Sequence, residues 1–229
     1  QESVFDRRGP RPSVLLAERY CLEQSDRLIF PSQFAAHHAA ARVQSLAPFT
    51  VVHNGIAAPF LEDIVPTPDA TAAGAVMRLD PVKNPETLAR IGTALRGHDI
   101  HLDLVTDVRA AASVSLSGVR ILPPTHDTRA LAQRLRHWRA VVAPSRFEAS
   151  GNVPMEALAT GTPAVVTDQM GVAEILRGLG LGHLVVPVDD VDLTVDLVRH
   201  AQPVPDAIRA TIRQTFSWPS VAERLIAAL

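Results

Sequence analysis

Two carboxylates eight residues apart, Glu148 and Glu156, frame the stretch Pro144-Ser-Arg-Phe-Glu-Ala-Ser-Gly-Asn-Val-Pro-Met-Glu. An ionised carboxylate is an acceptor only, and it can take two hydroxyl hydrogens at once, which suits a sugar or ribose diol. Between the two acids, Gly151 lets the backbone come close to a ligand. Asn152 reads as the N-cap of the next helix, with Pro154 in its first turn, so free N–H groups and a positive dipole end would point at the same place. Anions and polyhydroxylated ligands suit such a helix end. A second set is Arg78-Leu-Asp-Pro-Val-Lys83-Asn84, two cations five residues apart that could clamp a diphosphate. Each set has a plainer reading. Glu148 can be a solvated loop residue, Glu156 an ordinary acid of a first turn, and the two cations a charged turn.

Both sets need strands behind them. Short, apolar, Val-rich runs are predicted as strands at 73–77, 101–106, 119–122, 140–143, 164–167 and 184–187. Helices are predicted between and after them at 85–97, 128–137, 153–160, 172–176, 193–200 and 217–228, with Asn84 capping the first of these and Gly161 stopping the third. Alternation of this kind predicts an α/β fold, a Rossmann-like parallel sheet with helices on both faces. Ligands of such sheets bind at the carboxyl ends of the strands. Both charged sets follow a strand. Before the sheet, residues 1–12 read as a loose arm and 13–24 as a helix capped by Ser13. Strands are expected at 27–31 and 49–53, with a helix capped by Ser32 between them and a Pro-rich linker from 57 onwards.

Composition removes several classes. A net charge of -2 and a pI near 6.5 argue against a nucleic-acid partner, which calls for a basic face. No apolar run reaches the length of a membrane span, and no signal-peptide pattern opens the chain, so a cytoplasmic enzyme is the expectation. The single cysteine, Cys21, leaves no disulfide within the chain and no cysteine-based zinc site. The histidine pairs His37-His38 and His98/His101 lack metal-ligand spacing with a third group, so no metal is expected. No Gly-x-Gly-x-x-Gly follows the first strand of the sheet, which argues against a nicotinamide dehydrogenase.

Together the two sets resemble the retaining glycosyltransferases of family 4, which have the GT-B fold of two Rossmann-like domains. The matching residues are Arg78-Leu79…Lys83-Asn84 and Pro144-Ser145…Glu148…Glu156-Ala157…Ala159…Gly161…Pro163, the second with the family's Glu-x7-Glu spacing. Asp26-Arg-Leu-Ile-Phe-Pro-Ser32, Asn54-Gly55 with Phe60, Gly171…Glu174-Ile175 and Phe216-Ser-Trp218 extend the likeness over essentially the whole chain. The resemblance implies a nucleotide-diphosphate sugar as co-substrate, such as a UDP- or GDP-sugar, and transfer of its sugar with retention. It implies that Arg78 and Lys83 neutralise the diphosphate. Glu148 would contact the donor sugar, with the backbone of Ala149, Ser150, Gly151 and Asn152 on its hydroxyls. Glu156 would hold the ribose, and the backbone from Leu122 to Thr125 the base. It implies no cofactor and no metal.

The pattern is broken in three places. Met77 stands where the family has glycine, Ala149-Ser150 replaces Gly-Phe, and Pro154 lies one place late. Members of the family are also longer. Residues 1–56 correspond to the end of an N-terminal acceptor domain, 57–72 to a linker, 73–212 to the donor domain and 213–229 to a C-terminal helix that crosses back. The expectation is therefore an enzyme whose acceptor half comes from a further region or another chain. The alternatives are a noncatalytic nucleotide-sugar-binding or regulatory subunit and a sugar-nucleotide epimerase of similar fold. The intact Lys83 and Glu148 count against the subunit, and the Ala-x-Ala-x-Gly-x-Pro run after the second acid counts against the epimerase.

Overall fold

A computed structural model describes residues 12–112 and 114–229. Six strands form one all-parallel sheet: β3 (Ala72–Val76), β4 (His101–Val105), β5 (Val119–Leu122), β6 (Val141–Ala143), β7 (Ala164–Thr167) and β8 (Val185–Val186), numbered after two earlier strands described below. Their spatial order is β5-β4-β3-β6-β7-β8. From β3 the chain builds outward through β4 and β5, then returns to lay β6 on the other side of β3, with Gly74 opposite Val141. The direction of winding reverses between β3 and β6, and crevices open at such switch points beyond the carboxyl ends of the strands. The segment after β3 carries Arg78 and Lys83, and the segment after β6 carries Glu148.

Helices cover both faces, as the alternation predicts. α4 (Pro85–Arg96) buries Leu88, Ile91 and Leu95, the i, i+3, i+7 stripe of a helix lying on a sheet. α6 (Thr128–His137), α7 (Asn152–Thr160), α8 (Val172–Gly178) and α9 (Val191–Arg199) add their inward residues to the same core. The strands are not wholly apolar. Asp103 lies in the middle of β4, 4% exposed, and accepts hydrogen bonds from Arg120 Nε (2.6 Å) and Trp138 Nε1 (3.1 Å). A buried carboxylate is tolerated because these donors replace its water.

Several local expectations change. The linker contains a short helix, α3 (Ala58–Leu61), which buries Phe60. A further turn of helix, α5 (Val108–Ala111), follows β4. α10 (Asp206–Phe216) is a helix beyond those expected, between Pro-rich flanks, with Ile208, Ile212 and Phe216 at four-residue spacing, and the expected domain boundary after residue 212 falls inside it. Ser13 does not cap α1 (Pro12–Gln24), because that helix already includes Pro12; the predicted arm, but for Pro12, lies outside the described residues.

Ahead of the main sheet, β1 (Leu28–Phe30) and β2 (Phe49–Val51) form a separate parallel pair, with α2 (Gln33–Ala40) between them. Ser32 caps α2 as expected, accepting from Ala35 N. α11 (Trp218–Ala228) runs back against this piece: Val221 and Ala228 pack with Val52, and Arg27 donates to the Ala228 carbonyl (2.5 Å). α1 buries no residue, and its Leu16 and Tyr20 are 68% and 70% exposed. Ile29, Phe49 and Ile226 add to the apolar surface of the same piece.

Candidate functional site

The segment after β3 turns through a single 3-10 turn, Pro81–Lys83, before α4 begins. Asn84 sits at the cap position of α4 but makes no capping hydrogen bond. Its backbone is left-handed (φ 61°), and its side chain is drawn elsewhere: the amide donates to the Pro144 carbonyl (3.2 Å) and to Asp189 (2.9 Å), and its oxygen accepts from Arg146 (3.1 Å). A backbone bond from Arg146 N to Val82 O (2.8 Å) joins the same two segments. The sets that stood 60 residues apart are thus one hydrogen-bonded unit. Asp189, held below the usual carboxylate range by hydrogen bonds from Asn84 and Thr87, anchors it from the loop after β8.

The loop after β6 is pinned from its other side. Glu148 N donates to Gln169 O (3.1 Å), Gly171 N to Glu148 O (2.8 Å) and Val172 N to Ser150 O (2.6 Å). Gly171 is required by proximity, since a Cβ there would stand 2.3 Å from the Ala149 carbonyl oxygen and 2.5 Å from Ser32 Oγ. Gly151, rather than Asn152, occupies the cap position of α7, at φ 112°, a conformation that excludes most side chains. Asn152 is the first helical residue, and its side-chain oxygen accepts from Asn54 Nδ2 (2.9 Å). The N-terminal piece therefore grips this loop directly. Ser32 Oγ donates to Ala149 O (2.5 Å), and Glu174 accepts from the backbone of Gln33 (2.9 Å) and Phe34 (3.1 Å) at the start of α2.

Two cavities of about 570 Å³ each open on this unit, and Val76 and Met77 line both. The first is lined by Lys83, Glu148, Ala149, Ser150, Gly151 and Asn152, with Asn54 and His53 opposite and an apolar wall from Val52, Trp218 and Leu225. Here Lys83 Nζ contacts Glu148 Oε2 in an ion pair. Burial and the charge of Arg78 lower the Lys83 ammonium from its usual range, Asp80 opposing them, and the Glu148 carboxylate in contact favours the charged form. The second cavity lies beyond β3, β4 and β5, with Arg78, Thr106, Pro124, Thr125 and Leu131 in its walls. Arg78 stands at its edge, 77% exposed and paired with Asp80 (3.0 Å).

Not every predicted residue meets the others. Leu122 packs on the core rather than in either cavity, whereas Pro124 and Thr125 line the second. Glu156 lines neither. It is half-buried on α7, with no hydrogen bond or ion pair among the described residues, and burial pushes its carboxyl up to about 7. A group of three or more His, Cys, Asp or Glu side chains able to hold a metal does not occur among the described residues. Nor is any helix there long and apolar enough to cross a membrane. The sequence reading missed Asn54, Ser32, Glu174 and Asp189 as supports of the site. Ser32 and Asn54 were visible as a cap and as parts of the family likeness but not as supports of the loop, because their partners lie about 100 residues away.

The arrangement is a pair of adjoining cavities at a topological switch point, with Lys83, a sugar-compatible acid and a helix N-terminus around the first and Arg78 at the edge of the second. The profile of the family described as glycosyl transferases group 1 matches residues 70–201, more than half of the chain. The chain is 29% identical to a D-inositol 3-phosphate glycosyltransferase of Actinosynnema mirum over 99% of its own length and 62% of that protein's. A protein of the same description from Mycobacterium bovis is 28% identical over 99% of this chain and 53% of its own. The chain thus spans between half and two thirds of the curated relatives it matches. In fold it is similar to sucrose-phosphate synthase from Thermosynechococcus elongatus (TM-score 0.77, 19% identity, 96% of this chain and 61% of that one). It is also similar to Anabaena HepE, solved in complex with UDP and glucose (TM-score 0.74, 15% identity, 99% of this chain and 69% of that one). These folds are GT-B glycosyltransferase folds.

Proposed function

We propose, from the premise that this chain belongs to the glycosyl transferases group 1 family, that its crevice binds a nucleotide-diphosphate sugar and serves retaining glycosyl transfer. What supports this reading is the joining of the cationic turn to the Glu148 loop, which sets Lys83 against Glu148 at the mouth of α7. A diphosphate placed there meets Lys83, with Arg78 on the far side of Met77 and the N–H groups of Asn152 and Val153 ahead of it. Glu148 and the backbone of Ala149–Asn152 face the donor sugar. Glu156, which lines neither cavity in the free chain, is given the ribose hydroxyls on the family resemblance alone, and the segment at Pro124-Thr125 takes the base. Two cations and a helix end supply the charge that a divalent metal supplies elsewhere.

In the reaction the bond between the anomeric carbon and the phosphate oxygen breaks, and its electron pair leaves with the diphosphate. The acceptor hydroxyl bonds to that carbon on the same face, and its proton passes to the departing phosphate oxygen. Lys83 and Arg78 stabilise the charge that grows on the leaving group. The relatives are longer, and the apolar surface of α1, β1 and β2 is open. An acceptor-binding domain, in the same protein or on another chain, covers that surface.

Calorimetric titration with UDP, GDP and ADP tests the donor site. At least one should bind, and Lys83→Ala should weaken it about 10- to 100-fold, the worth of a charge-assisted hydrogen bond. No binding by any of the three, or undiminished binding by the variant, removes the assignment. The 229-residue chain alone should not turn over a donor.

A further inference from the structure

The second cavity holds an uncommon group. Thr106 follows β4, and its backbone N–H donates to Leu122 O (3.2 Å). The residue is 4% exposed, it lines the cavity, and its hydroxyl has no hydrogen-bond partner among the described residues. The other buried side-chain polar atoms without a partner are guanidinium Nε atoms of arginines whose Nη atoms are bonded. A buried hydroxyl left unbonded is costly and uncommon, and it calls for a ligand or a water. Its polar neighbours are already engaged. The Asp107 carboxylate accepts from Arg109 N (2.8 Å), and Thr125 Oγ1 accepts from Asp127 N (3.1 Å).

The surroundings say which part of a ligand belongs there. Val76, Leu79, Val105, Ala110 and Leu131 make the walls largely apolar. The cation of the cavity, Arg78, is exposed at its edge, and the carboxylates of Asp80 and Asp107 line it too. Lys83 does not line this cavity whereas Asp80 and Asp107 do, so the cavity does not suit an anion. It suits a flat, neutral group with apolar faces and a polar edge. We propose that Thr106 is a specificity-determining residue whose hydroxyl hydrogen-bonds the nucleobase of the bound nucleotide. The inference rests on the donor-binding reading above and adds to it the group that reads the base. A site built around one buried hydroxyl discriminates against ligands that leave it unpaired.

The test compares Thr106→Val and Thr106→Ser with the parent chain, titrating UDP, GDP, ADP and inorganic pyrophosphate by calorimetry. For the parent, one nucleoside diphosphate binds better than the others and better than pyrophosphate. Thr106→Val weakens that nucleotide about tenfold and narrows its preference over the other two, while pyrophosphate binding is unchanged. Thr106→Ser, which keeps the hydroxyl, stays within about threefold of the parent. The free Thr106→Val chain melts no lower than the parent, because no bond is lost. Equal nucleotide affinity in the parent and Thr106→Val overturns the inference and leaves the donor site standing. So does a parent that binds pyrophosphate as well as any nucleotide, an outcome read without a variant. A parent that binds none of the four overturns both readings.

Discussion

Glu156→Gln should stabilise the free chain at pH 8 and do little at pH 4.5. Burial raises the Glu156 carboxyl from its ordinary 4.5 to about 7. The folded chain therefore holds this proton more tightly than the unfolded one. Stability is intact below the ordinary value and falls as pH rises through the raised one, after which it is level. A shift of that size corresponds to about 3 kcal/mol by the conversion of 1.36 kcal/mol per unit. Glutamine carries no charge at either pH, so it removes the loss above pH 7 and changes little below pH 4.5. For a chain of this length the gain at pH 8 is a melting point higher by about 6–12 °C. Thermal melts of both proteins at pH 4.5 and 8 read it directly. Nucleotide binding should move the other way. An ionised Glu156 accepts charge-assisted bonds from two ribose hydroxyls, one on each oxygen, whereas a glutamine amide offers a single neutral acceptor oxygen, so the parent's advantage over Glu156→Gln in binding a nucleoside diphosphate should grow between pH 6 and 8. The ratio cancels the ligand's own phosphate titration. An equal gain in stability at both pH values, or a loss at pH 8, would refute the claim that Glu156 is a half-buried, unpartnered acid.

Glu148→Gln should tighten binding of a nucleoside diphosphate several-fold, because Lys83 no longer has to leave a carboxylate to meet a phosphate; titration that finds weaker binding would show the pair to be permissive rather than competing. Gly171→Ala should cost about 1–3 kcal/mol in urea denaturation, since its Cβ has no room between Ala149 O and Ser32 Oγ; unchanged stability would mean the two segments separate freely. The 229-residue chain alone should self-associate in sedimentation through the open apolar surface of α1 and α11, and a double change of Leu16→Glu with Ile226→Glu should return it to monomer. A monomer without those changes would mean that this surface tolerates water.

Two physical scales separate what sequence shows from what folding decides. The α/β order, the run of strands and the two charged sets were legible because they are local. Val-rich strands, Pro85 at a helix start and Gly161 at a helix stop act within a few residues of themselves. That Lys83 and Glu148 serve one donor site was implied by resemblance, but their ion pair has no local signal, since it depends on β3 and β6 lying side by side at the reversal of the sheet. Asn84 shows the limit best. By residue type it is a helix cap, and by position it sits at one, yet Pro144, Asp189 and Arg146 reach it from other strands and offer more bonds than the helix can. Asn152 yields to Gly151 for the same reason, because Asn54 holds its side chain and the loop needs a left-handed residue before α7. Burial is likewise a property of the whole chain. Nothing in the residues around Glu156 or Thr106 marks the one as an acid raised to about 7 or the other as a hydroxyl without a partner. The sequence determined which groups could do chemistry and on which strand ends they stand. Only the packing of the sheet decided which of them share a crevice and which are left for a ligand to satisfy.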